Sequence, residues 1–343
     1  MSVSRDRGVT IAPGTGYRHH QAESPRTAGR EPAEGTKECL VLPRSITRRR
    51  IAAVGALAIA AGLTLSACGG DDTAGTDTAA PAPSAQSTLA KLVPENIAAD
   101  GKILIGSDAS YPPNESVDPA TQKIVGWEVE LGEALAAKLG LKADFQNAGF
   151  DTIIPGIQSG KYELGVSSFT DNPEREKVVD FVTYYSAGVS WAALKGNPKG
   201  VNPDDACGKK IGVQQGTVEV DDIKARSEKC VKDGKPAIEQ VVRKGQTEVN
   251  ADLVSGKIDG MLADSPIVGY AVKETGDKLE VIGQVYDAAP YGFAIGKNSG
   301  TMKDAVLGAL KELIADGTYT KILEKWGVQD GAITTPVING AGG

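Results

Sequence analysis

The side chains able to do chemistry in this 343-residue chain are four cysteines, two histidines and a scatter of charged and hydroxyl residues at short polar turns. Both histidines, His19 and His20, precede Cys68. The residues from Cys68 onward therefore offer no imidazole base, no histidine metal ligand and no Ser-His-Asp triad. Of the 37 basic and 44 acidic side chains, 10 and 5 also precede Cys68, which leaves 27 against 39 and a net charge of −12 on the 276 residues that follow. That acidity argues against a nucleic-acid partner, because phosphate binding needs a basic stripe. The turn residues that remain are Asp108, Tyr111, Phe150, Ser167, Ser168, Thr170, Arg175, Thr217, Val218 and Asp264. Each has a plainer reading. Arg175 lies in the run Glu174-Arg175-Glu176-Lys177, which could be a solvated helix face; Asp264 could cap a helix starting at Pro266. Tyr111 and Phe150 could be ordinary core, and small hydroxyl residues are common in turns. Glu128 or Asp108 could serve as a general acid in an exported enzyme such as a dehydratase or lyase. No metal-ligand cluster and no cofactor motif accompanies them.

The elements that must hold these residues are legible as an approximate internal repeat. Gly101-Lys102-Ile103-Leu104-Ile105-Gly106 is matched by Gly208-Lys209-Lys210-Ile211-Gly212-Val213, each a short buried strand entering a polar turn. Ile157-Gln158-Ser159-Gly160-Lys161-Tyr162-Glu163 is matched by Leu253-Val254-Ser255-Gly256-Lys257-Ile258-Asp259, each closing a helix on a glycine ahead of another apolar strand. Two such matches in the same order, about 100 residues apart, imply two α/β lobes of similar topology. Leu131, Leu135 and Leu139 form one helical stripe; Val306, Leu310, Leu313 and Ile314 form a second, and Tyr319, Ile322, Leu323 and Trp326 a third. Alternating strands and helices give mostly parallel sheets, whose ligands bind beyond the carboxyl ends of the strands. The turns at 108–111, 167–175, 214–218 and Asp264 lie at those ends, and four turns from two lobes would converge on one cleft.

Ahead of the folded region, Arg48-Arg49-Arg50 precedes an apolar run, 51–65, that ends in Leu65-Ser66-Ala67-Cys68. A positive start, a short apolar stretch and small residues before a cut site read as a secretory signal peptide, the run falling short of the about 20 residues a bilayer needs. Leu-Ser-Ala-Cys resembles a bacterial lipobox, in which the cysteine is lipidated and becomes the mature N-terminus. Residues 1–67 are thus expected to be a disordered extension plus signal peptide, with a start near Val41 as an alternative, and residues 68–90 a lipidated Cys68 with a flexible tether. Export by either the general or the twin-arginine route fits Arg49-Arg50. With Cys68 lipidated and Cys39 removed, Cys207 and Cys230 remain; in an exported chain they form a disulfide, worth about 3 kcal/mol, or stay as two buried thiols.

The motifs Asp108-Ala109-Ser110-Tyr111-Pro112-Pro113, Gly126-Trp127-Glu128-Val129-Glu130-Leu131, Ser167-Ser168-Phe169-Thr170-Asp171-Asn172-Pro173-Glu174-Arg175, Asp180-Phe181, Gly212-Val213-Gln214-Gln215-Gly216-Thr217 and Asp264 occur in that order. Together they resemble the polar amino-acid-binding family of solute-binding proteins for ABC importers, the bacterial extracellular solute-binding proteins of family 3. The resemblance runs from about Leu89 to Val328. It implies an α/β, two-lobed periplasmic-binding-protein-like fold, a "Venus flytrap", with two hinge crossover strands near 186–194 and 291–295. Lobe 1 would span 91–190, lobe 2 191–292, the return to lobe 1 293–335 and a tail 336–343. By the same resemblance Arg175 would hold the α-carboxylate of a free amino acid, Asp264 its α-ammonium, and Ser168 and Thr170 first-lobe contacts. Thr217 and Val218 would add second-lobe contacts to the carboxylate, with Asp108, Tyr111 and Phe150 along the ligand's side chain. Asn114, Glu128 and Gln214 depart from the usual pattern, and Asp108 with Glu115 or Glu128 leaves the pocket acidic, suited to a cationic or amide-bearing ligand. The implied protein is a monomeric, lipid-anchored binder on the outer face of the cytoplasmic membrane that serves a membrane permease and uses no cofactor. A sensory lipoprotein is the other non-enzymatic reading.

Overall fold

The computed structural model describes residues 88–341 other than Asp277. The expectations about Cys39, the leader, Cys68 and nearly all of the tether lie outside the described residues. The first part of the chain forms α1 (Glu95–Ala98), β1 (Lys102–Ser107), β2 (Ser110–Tyr111), β3 (Glu115–Val117), β4 (Ile124–Val125), α2 (Trp127–Lys138), β5 (Lys142–Asn147), α3 (Phe150–Gln158), β6 (Leu164–Gly165) and α4 (Pro173–Glu176). After β7 (Val179–Leu194) come β8 (Lys210–Gln214), α5 (Val218–Lys232), β9 (Glu239–Arg243), α6 (Gln246–Val254), β10 (Gly260–Asp264) and α7 (Ser265–Glu274). The chain closes with β11 (Leu279–Gly296), α8 (Met302–Ala315) and α9 (Thr318–Trp326).

One sheet carries the strands in the order β5-β1-β6-β11-β7-β10-β8-β9, and the two matched motifs occupy equivalent places in it. β1 pairs in parallel with β5 and β6, and β8 pairs in parallel with β9 and β10. The helices before β6 and β10 end alike: Gly160 and Gly256 follow the C-caps at φ 76° and 73°, a conformation glycine adopts without a Cβ penalty. Each lobe is therefore a parallel three-stranded unit completed by the same two long strands.

β7 and β11, 16 and 18 residues long and antiparallel, belong to both lobes. In the first lobe β11 pairs with β7 from Gly292/Thr183 to Gly296/Val179; in the second, Leu279 to Ile282 pair with Leu194 to Trp191. Between these stretches the register shifts at Ile282/Tyr286, Tyr286/Ala289 and Tyr291/Gly292, so the ladder is irregular where the lobes meet. β10 already pairs with β7 at Val189, so the first crossing falls at the start of the expected 186–194, while the second, between Tyr286 and Tyr291, lies a few residues earlier than the expected 291–295.

All three apolar stripes pack into the first lobe. Leu131, Leu135, Leu139, Val306, Leu310, Leu313, Tyr319, Ile322 and Leu323 share its core, with Ile314 and Trp326 at the margin. α8 and α9 thus return to the lobe the chain started from. In the second lobe Cys207 and Cys230 are disulfide-bonded with Cα atoms 5.6 Å apart, tying the entry to β8 to the end of α5; the free-thiol reading is excluded. The C-terminal residues are not a loose tail. Ile338 bridges Val182 and Ala332 bridges Tyr185, while Val337 and Asn339 exchange hydrogen bonds with Thr183 and Phe181, so 337–341 lie along the edge of first-lobe β7. No helix among the described residues is long and apolar enough to cross a membrane.

Candidate functional site

Asp108, Tyr111, Phe150, Ser168, Thr170, Arg175, Thr217, Val218 and Asp264 all line one cleft between the lobes, together with Ser167, Gln214 and Glu219. Arg175 lies in α4, a single turn with Pro173 at its start and the Asn172 side chain capping the Arg175 N–H at 2.9 Å. Glu174 and Lys177 pair on the solvent side, but the Arg175 side chain turns inward. Its Nη1 donates to the Thr170 carbonyl at 2.9 Å and its Nη2 to the Gly216 carbonyl at 3.1 Å. The guanidinium lies over the rings of Phe150 and Phe169, at 5.4 and 5.7 Å from their centroids. The two rings stack at 4.6 Å, so Phe150 is at once core and cleft wall.

Asp264 occupies the N-cap position of α7, yet its side chain makes no capping bond. It accepts instead from the Tyr111 hydroxyl at 2.7 Å, a contact from the first lobe to the second. Other bonds join the lobes around it: Gln214 Nε2 to Asp108 Oδ2 at 3.0 Å, Gln215 Nε2 to Asp151 Oδ2 at 2.6 Å, and Gln246 N to Ser110 Oγ at 3.0 Å. The lobes are therefore drawn together in this structure. Gly216 must be glycine at this junction: its φ is 82°, and a Cβ there would stand 2.8 Å from Asp151 Cβ.

The unusual residues have defined tasks beneath the cleft. Asn114 Oδ1 accepts from Trp127 Nε1 at 2.7 Å, and its amide donates to Ser168 Oγ at 2.7 Å. Glu128 receives the Ser168 N–H at 2.9 Å and its hydroxyl at 2.8 Å, which holds Ser168 at φ 51°, a region costly for a residue other than glycine. Ser167 Oγ donates to Glu115 Oε1 at 2.7 Å and accepts from Asp108 N. Burial raises both Glu115 and Glu128, the charge of Glu128 adding to the rise at Glu115 and the bonds from Ser168 opposing it at Glu128. Asp108 is also raised by burial, while bonds from Ser110 and Phe150 oppose the rise.

At the second-lobe wall, burial pushes Asp264 up to about 6, opposed by the hydroxyl of Tyr111 and the charge of Arg175. Burial also lowers Arg175, against the fields of Glu219 and Asp264. Glu219, on the first turn of α5, is pushed to about 8, by burial first and the charge of Asp264 second. Sequence reasoning did not single Glu219 out. An acid in a first helical turn reads as routine dipole complement, and only packing reveals that this one is 2% exposed in the cleft. The arrangement offers a fixed cation, a carboxylate on the facing wall and the N-terminus of the 15-residue α5. It can grip a small molecule bearing both charges.

Two lobes sharing a pair of crossover strands and closing on such a cleft define a solute-binding protein. The chain belongs to the bacterial extracellular solute-binding proteins, family 3, whose sequence model matches residues 103–329. It is similar to the arginine-binding protein ArgT of Corynebacterium glutamicum, 35% identical over 249 residues that cover 72% of this chain and 81% of that protein. Among solved structures it resembles an ancestral arginine-binding protein bound to arginine, with a TM-score of 0.62 and 32% identity over 66% of this chain and 98% of that one. It also resembles the ancestral amino acid-binding protein AncCDT-1, a precursor of cyclohexadienyl dehydratase, with a TM-score of 0.58 and 32% identity over 69% and 99% of the two chains.

Proposed function

We propose that this protein is the extracellular, substrate-binding component of an ABC importer, which captures a free polar or cationic amino acid, arginine foremost, and delivers it to a membrane permease. The observation that carries this reading is that Arg175 and Asp264 come from different lobes and line one cleft. Arg175 takes the α-carboxylate with Thr217, Val218 and the start of α5, and Asp264 takes the α-ammonium. Ser168 and Thr170 complete the first-lobe wall. The side chain lies along Asp108, Tyr111 and Phe150, where acidity suits a positive end. The names of ArgT and of the ancestral arginine-binding protein favour arginine within that class.

Lobe 1 (91–190 with 293–335) captures the ligand and lobe 2 (191–292) closes over it. Reversing a population from mostly open to mostly closed takes roughly 5.5 kcal/mol of preference for the closed form. Lipidation at Cys68 would tether the monomer to the outer face of the cytoplasmic membrane and raise its effective concentration at the permease. No reaction is assigned. A dehydratase on this scaffold, as the AncCDT-1 likeness suggests, would use Glu128 or Asp108 as its general acid. Glu128 is occupied by Ser168 and Asn114, and the Asp108 carboxylate by Ser110, Phe150 and Gln214. Calorimetric titration of the purified chain with the common amino acids tests the reading. Arginine should bind, be recovered unchanged, and lose all measurable affinity for a folded Arg175→Ala variant; near-normal affinity in that variant refutes the clamp.

A further inference from the structure

The cleft contains one ionisable group that the clamp does not use. Glu219 is buried, lines the cleft beside Asp264, and its Oε1 has no hydrogen-bond partner among the described residues. Its own backbone N–H and the Thr217 side chain oppose the rise in its pKa, though the Thr217 hydroxyl gives its proton to the Gln214 carbonyl at 2.9 Å. A buried carboxyl oxygen left without a partner is costly, and one on the wall of a binding cleft is a place reserved for a donor from the ligand.

We propose that Glu219 is the second carboxylate of the ammonium subsite: Asp264 and Glu219 hold one proton between them until the ligand's α-ammonium enters, and ligand binding expels that proton to solvent. This rests on the amino-acid-binding reading above and adds the protonation change that accompanies it. In the binding step the Glu219 O–H bond breaks, the proton passes to buffer, and the resulting carboxylate accepts an N–H of the ammonium. The charged groups facing Glu219 are Asp264 at the end of β10 and Arg175 on α4, with the phenol of Tyr111 from β2 within the same field. On its own helix, Asp221 acts on Arg175, and Asp222 is taken by Arg226 and Tyr286. Glu219 feels both ends of the clamp, since Asp264 and Arg175 both act on it and its charge acts on Arg175 ahead of that of Asp264; the unpartnered acceptor Oε1 on the cleft wall is what suits it to an ammonium, because the ligand's carboxylate brings no donor. An ammonium has three N–H donors, and the Asp264 carboxylate is already shared with the Tyr111 hydroxyl. A second acceptor selects a primary ammonium over ligands lacking it, such as the corresponding hydroxy acids. Burial and Asp264 keep Glu219 protonated up to about pH 8 before the ligand arrives.

The test is isothermal titration of the full chain with L-arginine at pH 7 in two buffers of different ionisation enthalpy. Close to one proton released per arginine bound is expected, with affinity rising by close to tenfold per pH unit between about 6.5 and 7.5, the slope of a single released proton. Glu219→Gln should bind arginine more weakly and release almost none. No proton exchange in the parent protein overturns the assignment, as does uptake, which would mean that a protonated Glu219 donates to the ligand carboxylate. Undiminished release in Glu219→Gln also overturns it. The parent stoichiometry decides even if the variant fails to fold. If a folded protein binds no amino acid at all, the proposed function falls and takes this inference with it; binding without proton release removes the inference alone.

Discussion

Tyr111 ties two expectations together. It was placed along the ligand's side chain, and it packs in a core cluster with second-lobe residues, but its hydroxyl also fixes Asp264 at 2.7 Å. A hydrogen bond to a charged acceptor is worth about 1.5–3 kcal/mol. Tyr111→Phe is therefore expected to weaken arginine binding by roughly tenfold to a hundredfold while the circular dichroism spectrum stays unchanged. An affinity within threefold of the parent would show that Asp264 keeps its place without the phenol. Gln214 makes a comparable contact, its amide donating to Asp108 Oδ2 at 3.0 Å across the lobe boundary.

The C-terminal segment 337–341 is the part of the chain whose importance is easiest to underrate. Gly340 N donates to Asp171 Oδ2 at 2.6 Å and Ala341 N to Glu176 Oε1 at 3.1 Å, so the segment grips both flanks of the short α4 that carries Arg175. A four-residue helix has no stability of its own and takes its orientation from such contacts. Deleting 337–343 is expected to lower the melting temperature by roughly 5–10 °C and arginine affinity by about tenfold. Calorimetry on the shortened chain checks both, and unchanged affinity would mean that α4 is held by Asn172 and Pro173 alone. The disulfide is different in kind: it braces β8 and α5 in the second lobe, away from the moving contacts.

The molecule as a whole holds raised carboxyl groups at the cleft and at Asp171 beside the C-terminal residues, with consequences for its stability against pH. Burial pushes Asp264 to about 6, Asp171 to about 7 and Glu219 to about 8, so the folded chain keeps protons that the unfolded chain releases near pH 4. Stability from these groups is fully present below pH 4 and declines as pH rises towards 8. Asp180 acts oppositely. Despite its burial, bonds from Lys297, Asn339 and Lys303 hold it at about 2, and its contribution is lost as pH falls from about 4 to 2. The melting temperature of the unliganded chain is expected to peak near pH 5 and to be lower by roughly 5–10 °C at pH 8.5. Glu219→Gln should flatten the alkaline limb. A scan that stays level from pH 5 to 8.5 in the parent would contradict the burial of these acids.

The two-lobed architecture was readable in the chain because strand, turn and helix-end signals are local and recur: the glycines that end α3 and α6 and the strands that follow them are set by backbone chemistry within a few residues. That Arg175 and Asp264 line the cleft was readable for a related reason, since they sit at turns whose neighbours repeat a recognisable order. What needed the folded molecule was every property that depends on distant segments meeting. The Asn114–Glu128–Ser168 network, the C-terminal residues along β7, the bond from Tyr111 to Asp264 and the burial of Glu219 join residues that are 14 to 158 positions apart. Local pattern carries no record of such distances, and whether an acid is a solvated helix-end charge or a buried, protonated partner of another acid is decided only by what packs over it.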